Sequence, residues 1–245
     1  MTWVKICGMT NLEDALVAVE AGADAVGFVF YEKSPRCVSV ETAREIMAKL
    51  PESVEKIGVF VDPGADPINV LIQTGLTGTQ SYISAEGVAG SKARMKAIGM
   101  ACLSPRARFL IALPMSLFGE DVSQVERMAT GFAASRNKIP GDVSIPEGFL
   151  DTFLLDSGNL RQPGGTGHTF DWKKARALAE GMRRDGLKLV VAGGLTPENV
   201  GEAIEILEPW GVDVASGVEA RPGKKDPEKV RAFVRAVREI DLKAS

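Results

Sequence analysis

Two reactive side chains close apolar runs in this sequence: Cys7 ends Trp3 to Cys7, and Asp156 directly follows Phe153-Leu154-Leu155. A thiol at the end of such a run is either a small apolar residue packed at a rim or a thiolate base. The second requires a lowered pKa, which a helix starting near Thr10 would supply through its N-terminus. An acid after a buried strand must be solvated, paired or kept protonated in a low dielectric, and the last makes it a proton donor. Equally, Asp156 caps the following turn through backbone hydrogen bonds. Lys33-Ser34-Pro35-Arg36 is a cationic stretch in which Arg36 either grips a carboxylate bidentately or is simply solvated. Gly193-Gly194 and Ser216-Gly217 follow two further apolar runs, and their backbone N–H groups either converge on a phosphate or make ordinary tight turns. Gly164 to Thr169 reads as a lid or an anion cradle, which makes His168 a ligand contact or surface residue and not a base.

Composition removes several other chemistries. His168 is the only histidine, so HExxH and other multi-imidazole metal sites are excluded, and a serine triad would have no GxSxG elbow to serve. Cys7, Cys37 and Cys102 contain no CxxC pair, against both a disulfide framework and a thiolate zinc site, so no metal is expected. Lys plus Arg number 29 against 32 Asp plus Glu, a net charge of -3, and no global field draws the chain onto nucleic acid. No apolar run approaches the roughly 20 residues of a membrane helix and no signal-peptide layout is visible, so a cytoplasmic address and no membrane partner are expected.

The elements that must position these groups alternate. Strands are expected at Trp3–Cys7, Ala25–Phe30, Lys56–Val61, Thr77–Ile83, Phe109–Leu113, Phe149–Leu155, Leu187–Ala192 and Val212–Ala215. Between and after them, helices are expected at Asn11–Ala21, Val40–Leu50, Pro67–Gln73, residues 87–101, Val122–Ala134, Asp171–Arg184, after Thr196-Pro197, and Glu228–Ile240. Start signals mark several of them: Thr10 with Glu13 as a capping box, Ser39 as a cap, and the cap-then-proline pairs Thr196-Pro197 and Asp226-Pro227. About eight strand–helix units in 245 residues predict a single-domain (β/α)8 TIM barrel, with a turn-rich excursion at 135–148. A doubly wound open sheet is the competitor, disfavoured because no GxGxxG follows the first strand. A short echo links Gly22-Ala23-Asp24-Ala25-Val26-Gly27 with Gly211-Val212-Asp213-Val214-Ala215-Ser216.

Several blocks together go beyond these separate readings. Lys5-Ile6-Cys7-Gly8, Gly22 to Phe28, Ser34-Pro35-Arg36, Gly58 to Val61, Leu154-Leu155-Asp156-Ser157, Gly165-Thr166-Gly167, Thr169 to Trp172, Gly193 to Val200 and Val212 to Glu219 resemble, in order, the phosphoribosylanthranilate isomerase family. The resemblance implies a (β/α)8 barrel and an Amadori rearrangement of N-(5-phosphoribosyl)anthranilate in tryptophan biosynthesis. By it, Asp156 is the general acid that opens the ribose ring and Cys7 the general base at C2. Arg36 holds the anthranilate carboxylate, Asp213 lies near the sugar hydroxyls, and Gly193, Gly194, Ser216 and Gly217 hold the phosphate. It implies no cofactor, because the substrate's own iminium is the electron sink, and a monomer or homodimer whose partner is a small phosphoribosyl substrate. The family usually carries Val-Gln-Leu-His-Gly on strand four, where this chain has Thr79-Gln80-Ser81-Tyr82-Ile83. That places Gln80 and Tyr82 among the substrate-binding residues, Tyr82 as a stacking and hydrogen-bonding replacement for the histidine. Two alternatives stand beside this: a related barrel isomerase with another phosphosugar substrate, and a non-catalytic barrel that binds a phosphorylated ligand.

Overall fold

The computed structural model describes residues 1–61, 66–82, 107–115, 127, 151–158 and 169–243. Eight parallel strands close into a barrel in sequence order: β1 (Trp3–Cys7), β2 (Ala25–Val29), β3 (Glu55–Val61), β4 (Gly78–Tyr82), β5 (Arg108–Pro114), β6 (Thr152–Asp156), β7 (Lys188–Ala192) and β8 (Gly211–Val214). Closure rules out the open doubly wound sheet, because β1 pairs with both β2 and β8. The expected helix 87–101, all of Val122–Ala134 but Arg127, the excursion at 135–148 and the loop Gly164–His168 lie outside the described residues.

Alternation along the strands sorts side chains into two cores. One face of each strand points inward, where Trp3, Cys7, Ala25, Val29, Ile57, Val59, Val61, Tyr82, Leu110, Ala112, Leu154, Val190 and Ala192 fill the barrel. The opposite faces, including Val4, Ile6, Val26, Phe28, Ile111, Phe153, Leu155 and Val191, pack under the outer helices. Those helices are α1 (Leu12–Glu20), α2 (Val40–Met47), α3 (Pro67–Thr74), α4 (Trp172–Arg184), α5 (Val200–Leu207) and α6 (Pro227–Lys243). Burial on both faces is why the strands read as continuous apolar runs in the sequence.

Two start signals are displaced. Asn11, not Thr10, caps α1: its side chain accepts from Asp14 N at 2.9 Å and donates to the Asp14 carboxylate at 2.9 Å, while Thr10 Oγ1 donates to Gly223 O at 2.6 Å. Asn is as good a cap as Thr, so the cap shifts by one residue, and Asp14 bonds the Asn11 side chain in place of its backbone N–H. Thr196-Pro197 opens a turn, not a helix, and α5 begins at Val200. The end of the chain adds a feature absent from the expected order: after β8 a 3-10 turn, Ser216–Val218, leads into an antiparallel pair, β9 (Glu219–Arg221) and β10 (Lys224–Lys225). The sequence echo is not a structural repeat. Asp24 precedes β2 and accepts from Val4 N and Arg238, whereas Asp213 lies inside β8.

Candidate active site

The strand ends and the loops that follow them surround one open cavity of about 640 Å³. Nine of the ten candidate residues line it: Cys7, Arg36, Gln80, Tyr82, Asp156, Gly193, Gly194, Asp213 and Ser216. The tenth, Gly217, shapes the wall behind Ser216. A Cβ on Gly217 would sit 1.8 Å from Leu195 O, so the loops after β7 and β8 approach this closely only over glycine. Gly193 and Gly194 have φ of +83° and +66°, and a Cβ on Gly193 would meet Ser157 Oγ at 2.0 Å. Asn199 braces the same loop, donating to Gly194 O at 2.9 Å and accepting from Thr196 N at 2.7 Å. The backbone after β7 and the 3-10 turn after β8 thus face one corner of the cavity, the arrangement that barrels commonly use for phosphate.

Asp156 caps the turn that follows it and also faces the cavity. Oδ1 accepts from Gly158 N at 2.9 Å, capping the turn, and Oδ2 accepts from Tyr82 OH at 2.5 Å inside the cavity. Burial pushes the carboxyl up from its ordinary value, against the Tyr82 and Gly158 hydrogen bonds that favour its charged form. Burial and the facing Asp156 charge hold the Tyr82 phenol well above its ordinary value, so Tyr82 remains a donor. This engagement shows Tyr82 committed to the carboxylate through its hydroxyl, with its ring in the cavity wall.

The thiol departs from expectation. Cys7 is buried, and burial pushes its pKa up; the largest opposing influence is Lys5, not a helix end. The α1 helix begins at Leu12, and a dipole fades within its first turn, which leaves Cys7 outside its reach. Lys5 is fully buried, with Nζ 2.8 Å from Gln80 Oε1 and 2.9 Å from Asp213 Oδ1. The carbonyl of Gln80 and one oxygen of Asp213 therefore face a protein cation before any ligand arrives.

Arg36 is not a solvated loop residue either. Its Nε and Nη2 donate to Glu219 Oε1 and Oε2 at 2.9 and 2.7 Å, a bidentate pair with side chains 11% and 4% exposed. Glu219 Oε1 also accepts from Lys225 Nζ at 3.0 Å, and Lys225 Nζ donates to Ala215 O at 3.0 Å. Burial would raise the Glu219 carboxyl, but Arg36 and Lys225 outweigh it and hold the group below its ordinary value. This fork uses the Nε/Nη2 edge of the guanidinium, and Arg36 also lines the cavity. Lys5, Glu219, Lys225 and Asn199 received no role from sequence reading. A charged residue inside a strand, as at Lys5, was the one signal that pointed to them. Among the described residues no group of three or more His, Cys, Asp or Glu is placed to hold a metal ion.

Comparison with known proteins gives a consistent result. The sequence model of the N-(5'-phosphoribosyl)anthranilate (PRA) isomerase family matches residues 4–77 and 132–236. N-(5'-phosphoribosyl)anthranilate isomerase of Chlorobaculum parvum is 40% identical over 242 residues, covering 98% of this chain and 97% of that protein. The Rubrobacter xylanophilus enzyme is 43% identical, covering 97% and 100%. Among solved structures, phosphoribosyl anthranilate isomerase from Thermotoga maritima superposes with TM-score 0.73 at 36% identity, covering 98% of this chain and 100% of that one. A phosphoribosyl anthranilate isomerase in complex with reduced 1-(o-carboxyphenylamino)-1-deoxyribulose 5-phosphate gives TM-score 0.71 at 35% identity, with the same coverage.

Proposed function

The chain belongs to the N-(5'-phosphoribosyl)anthranilate isomerase family, and we infer that its cavity divides the work of that reaction among the residues it gathers. The enzyme converts N-(5-phosphoribosyl)anthranilate to 1-(2-carboxyphenylamino)-1-deoxyribulose 5-phosphate, an Amadori rearrangement in tryptophan biosynthesis. The observation that carries the division of labour is the pairing, in one cavity, of a buried acid held by Tyr82 with a thiol held beside a buried ammonium.

Protonated Asp156 gives its proton to the ribose ring oxygen; the C1–O bond breaks as the anilino nitrogen lone pair forms the C1=N iminium. Cys7, as thiolate, then takes the C2 proton, and the C–H electrons form the C1=C2 enolamine while the iminium is neutralised. Protonation at C1 and loss of the C2 hydroxyl proton give the ketone. The glycine loops after β7 and β8 hold the phosphate, Arg36 takes the anthranilate carboxylate, and Asp213 lies by the sugar hydroxyls. A carboxyl is ordinarily more acidic than a thiol. The reacting form, protonated Asp156 with ionised Cys7, is therefore the minority arrangement of one shared proton. The pH profile of kcat/KM then has an acidic limb set by Asp156 and a basic limb set by Cys7.

The protein acts as a cytoplasmic single-domain enzyme without nucleic-acid or membrane partners. A monomer or homodimer satisfies the cavity, since the residues named above come from one chain; the Thermotoga maritima relative has been described as dimeric. Mixing the purified chain with freshly made N-(5-phosphoribosyl)anthranilate tests the function. Loss of the substrate's fluorescence with formation of the ketose is the expected result. A folded protein that binds a reduced product analogue without turnover would instead make this a binding barrel, and consumption of a different aminoribosyl phosphate alone would shift the substrate.

A further inference from the structure

Lys5 is a fully buried cation to which the rearrangement assigns no step. Residues two apart on β1 share the barrel's inner face, so Lys5 and Cys7 point into the same interior. An ammonium has three protons and no acceptor. Gln80 Oε1 takes one at 2.8 Å and Asp213 Oδ1, directly opposite in register, takes a second at 2.9 Å, while Cys7 Sγ lies beside the lysine stem on the same face. The neighbouring strand makes room for this. Gly27 pairs with Cys7 across β1 and β2, and a Cβ there would lie 2.7 Å from Cys7 Sγ and 3.0 Å from Lys5 Cε. The lysine stem and the thiol share that space only because the residue beside them has no side chain.

We propose that Lys5 is the positioning residue that stabilises Cys7 in its ionised form during the rearrangement, its ammonium fixed in place by Gln80 and Asp213. The proposal rests on the isomerase reading for the use to which the thiolate is put. The charges facing Cys7 come from five elements. Lys5 on its own strand and Lys225 on β10 favour the anion, and Asp213 on β8 opposes it. The Arg36 guanidinium after β2 couples to Cys7 favourably, and the Tyr82 phenol on β4 faces it as a neutral donor. Asp156 on β6 couples directly both to Asp213, unfavourably, and to Lys5, favourably. Within this set Lys5 is the strongest support of the thiolate and Asp213 the strongest opposition, so neutralising the two shifts the thiol in opposite directions.

Alkylation of Cys7 by iodoacetamide, followed on its own peptide by mass spectrometry across pH, reads this without any turnover. Cys37→Ser and Cys102→Ser in the background remove competing thiols. Lys5→Met is expected to move the reactive limb to higher pH, and Asp213→Asn, which keeps an acceptor for Lys5, to lower pH. In turnover, the population with Cys7 ionised and Asp156 protonated falls tenfold for each pH unit by which the Cys7 limb rises, so the kcat/KM plateau of Lys5→Met falls by the same factor. An alkylation profile unchanged in Lys5→Met overturns the proposal, as does a plateau loss with the limb unmoved, which is what a merely structural lysine would give. If Lys5→Met does not fold, Asp213→Asn decides alone: a limb unmoved or raised overturns the pair. Limbs that move as stated in a protein that never consumes the aminoribosyl substrate support the pair and refute the isomerase reading.

Discussion

Glu219→Gln removes one charge from a buried ion cluster in the site, and its cost follows from who is left behind. Glu219 accepts two bonds from Arg36, one from Lys225 at 3.0 Å and one from Gly223 N at 3.3 Å, with side-chain exposures of 4% for itself, 11% for Arg36 and 0% for Lys225. A glutamine keeps one acceptor but turns an NH2 toward two cations that have lost their counter-ion. Removing one partner of a buried pair costs about 3–5 kcal/mol, which for a chain of this size is a Tm loss of about 6–20 °C. The deficit depends on pH. Glu219 is held below its ordinary value in the fold, so its contribution is present above the normal glutamate pKa and vanishes as pH falls through the folded value. Lys225, lowered by burial against the support of Glu219, is the group stranded in the variant; its penalty shrinks once pH passes its lowered folded value, where it discharges, and is gone at the free lysine pKa. Urea unfolding of both proteins from pH 4 to 10 should therefore show the largest gap near neutrality and a narrowing on either side. In kinetics the freed Arg36 loses its orientation, so KM rises more than kcat falls. A loss below about 1 kcal/mol at pH 7, or a gap that does not change with pH, would refute the view that Glu219 is the buried brace of Arg36.

Tyr82→Phe deletes the hydrogen bond that favours the charged Asp156 carboxylate, so the acidic limb of kcat/KM moves to higher pH while the Cys7 limb stays. Because the Asp156 pKa is raised in the fold, ionising it on going to neutral pH costs stability. The variant should lose about 1–3 kcal/mol at pH 7 and little once Asp156 is protonated in both states, as urea unfolding at the two pH values checks. An unmoved acidic limb would detach Tyr82 from the acid. Gly217→Ala drives a Cβ to 1.8 Å from Leu195 O and parts the loops after β7 and β8. Inhibition by inorganic phosphate should weaken by about tenfold or more, roughly 1.4 kcal/mol, with a parallel rise in KM. Unchanged phosphate inhibition would place the phosphate elsewhere.

The barrel was legible because parallel strands covered on both faces leave continuous apolar runs, and Ala25–Val29 and Leu189–Val191 announce themselves without any partner. Cys7 and Asp156 were legible as strand-end residues, and the glycine pairs as the turns after the last two strands. The Glu219–Lys225 strand pair was not, because two and three residues of charged sequence carry no period. Nor was the pairing of Arg36, since its partner lies 183 residues away and only barrel closure brings β8's loop over that of β2. The same closure explains Lys5: its partners Gln80 and Asp213 come from β4 and β8, and a lysine in an apolar strand has meaning only when both are in place. Cys7 was read against the wrong electrostatic partner for a related reason. Sequence shows the helix that follows, but not the cation two residues back that shares its inward face.

The acid–base pair is tested most directly by substrate fluorescence decay in wild type, Cys7→Ser and Asp156→Asn, each titrated beforehand with a reduced product analogue to show an intact site. Wild type should turn over, and each variant should lose about 10²–10⁴-fold in kcat while binding the analogue. Wild-type rates in a correctly folded Asp156→Asn, which lacks the carboxyl assigned to protonate the ring oxygen, would contradict the account at its centre.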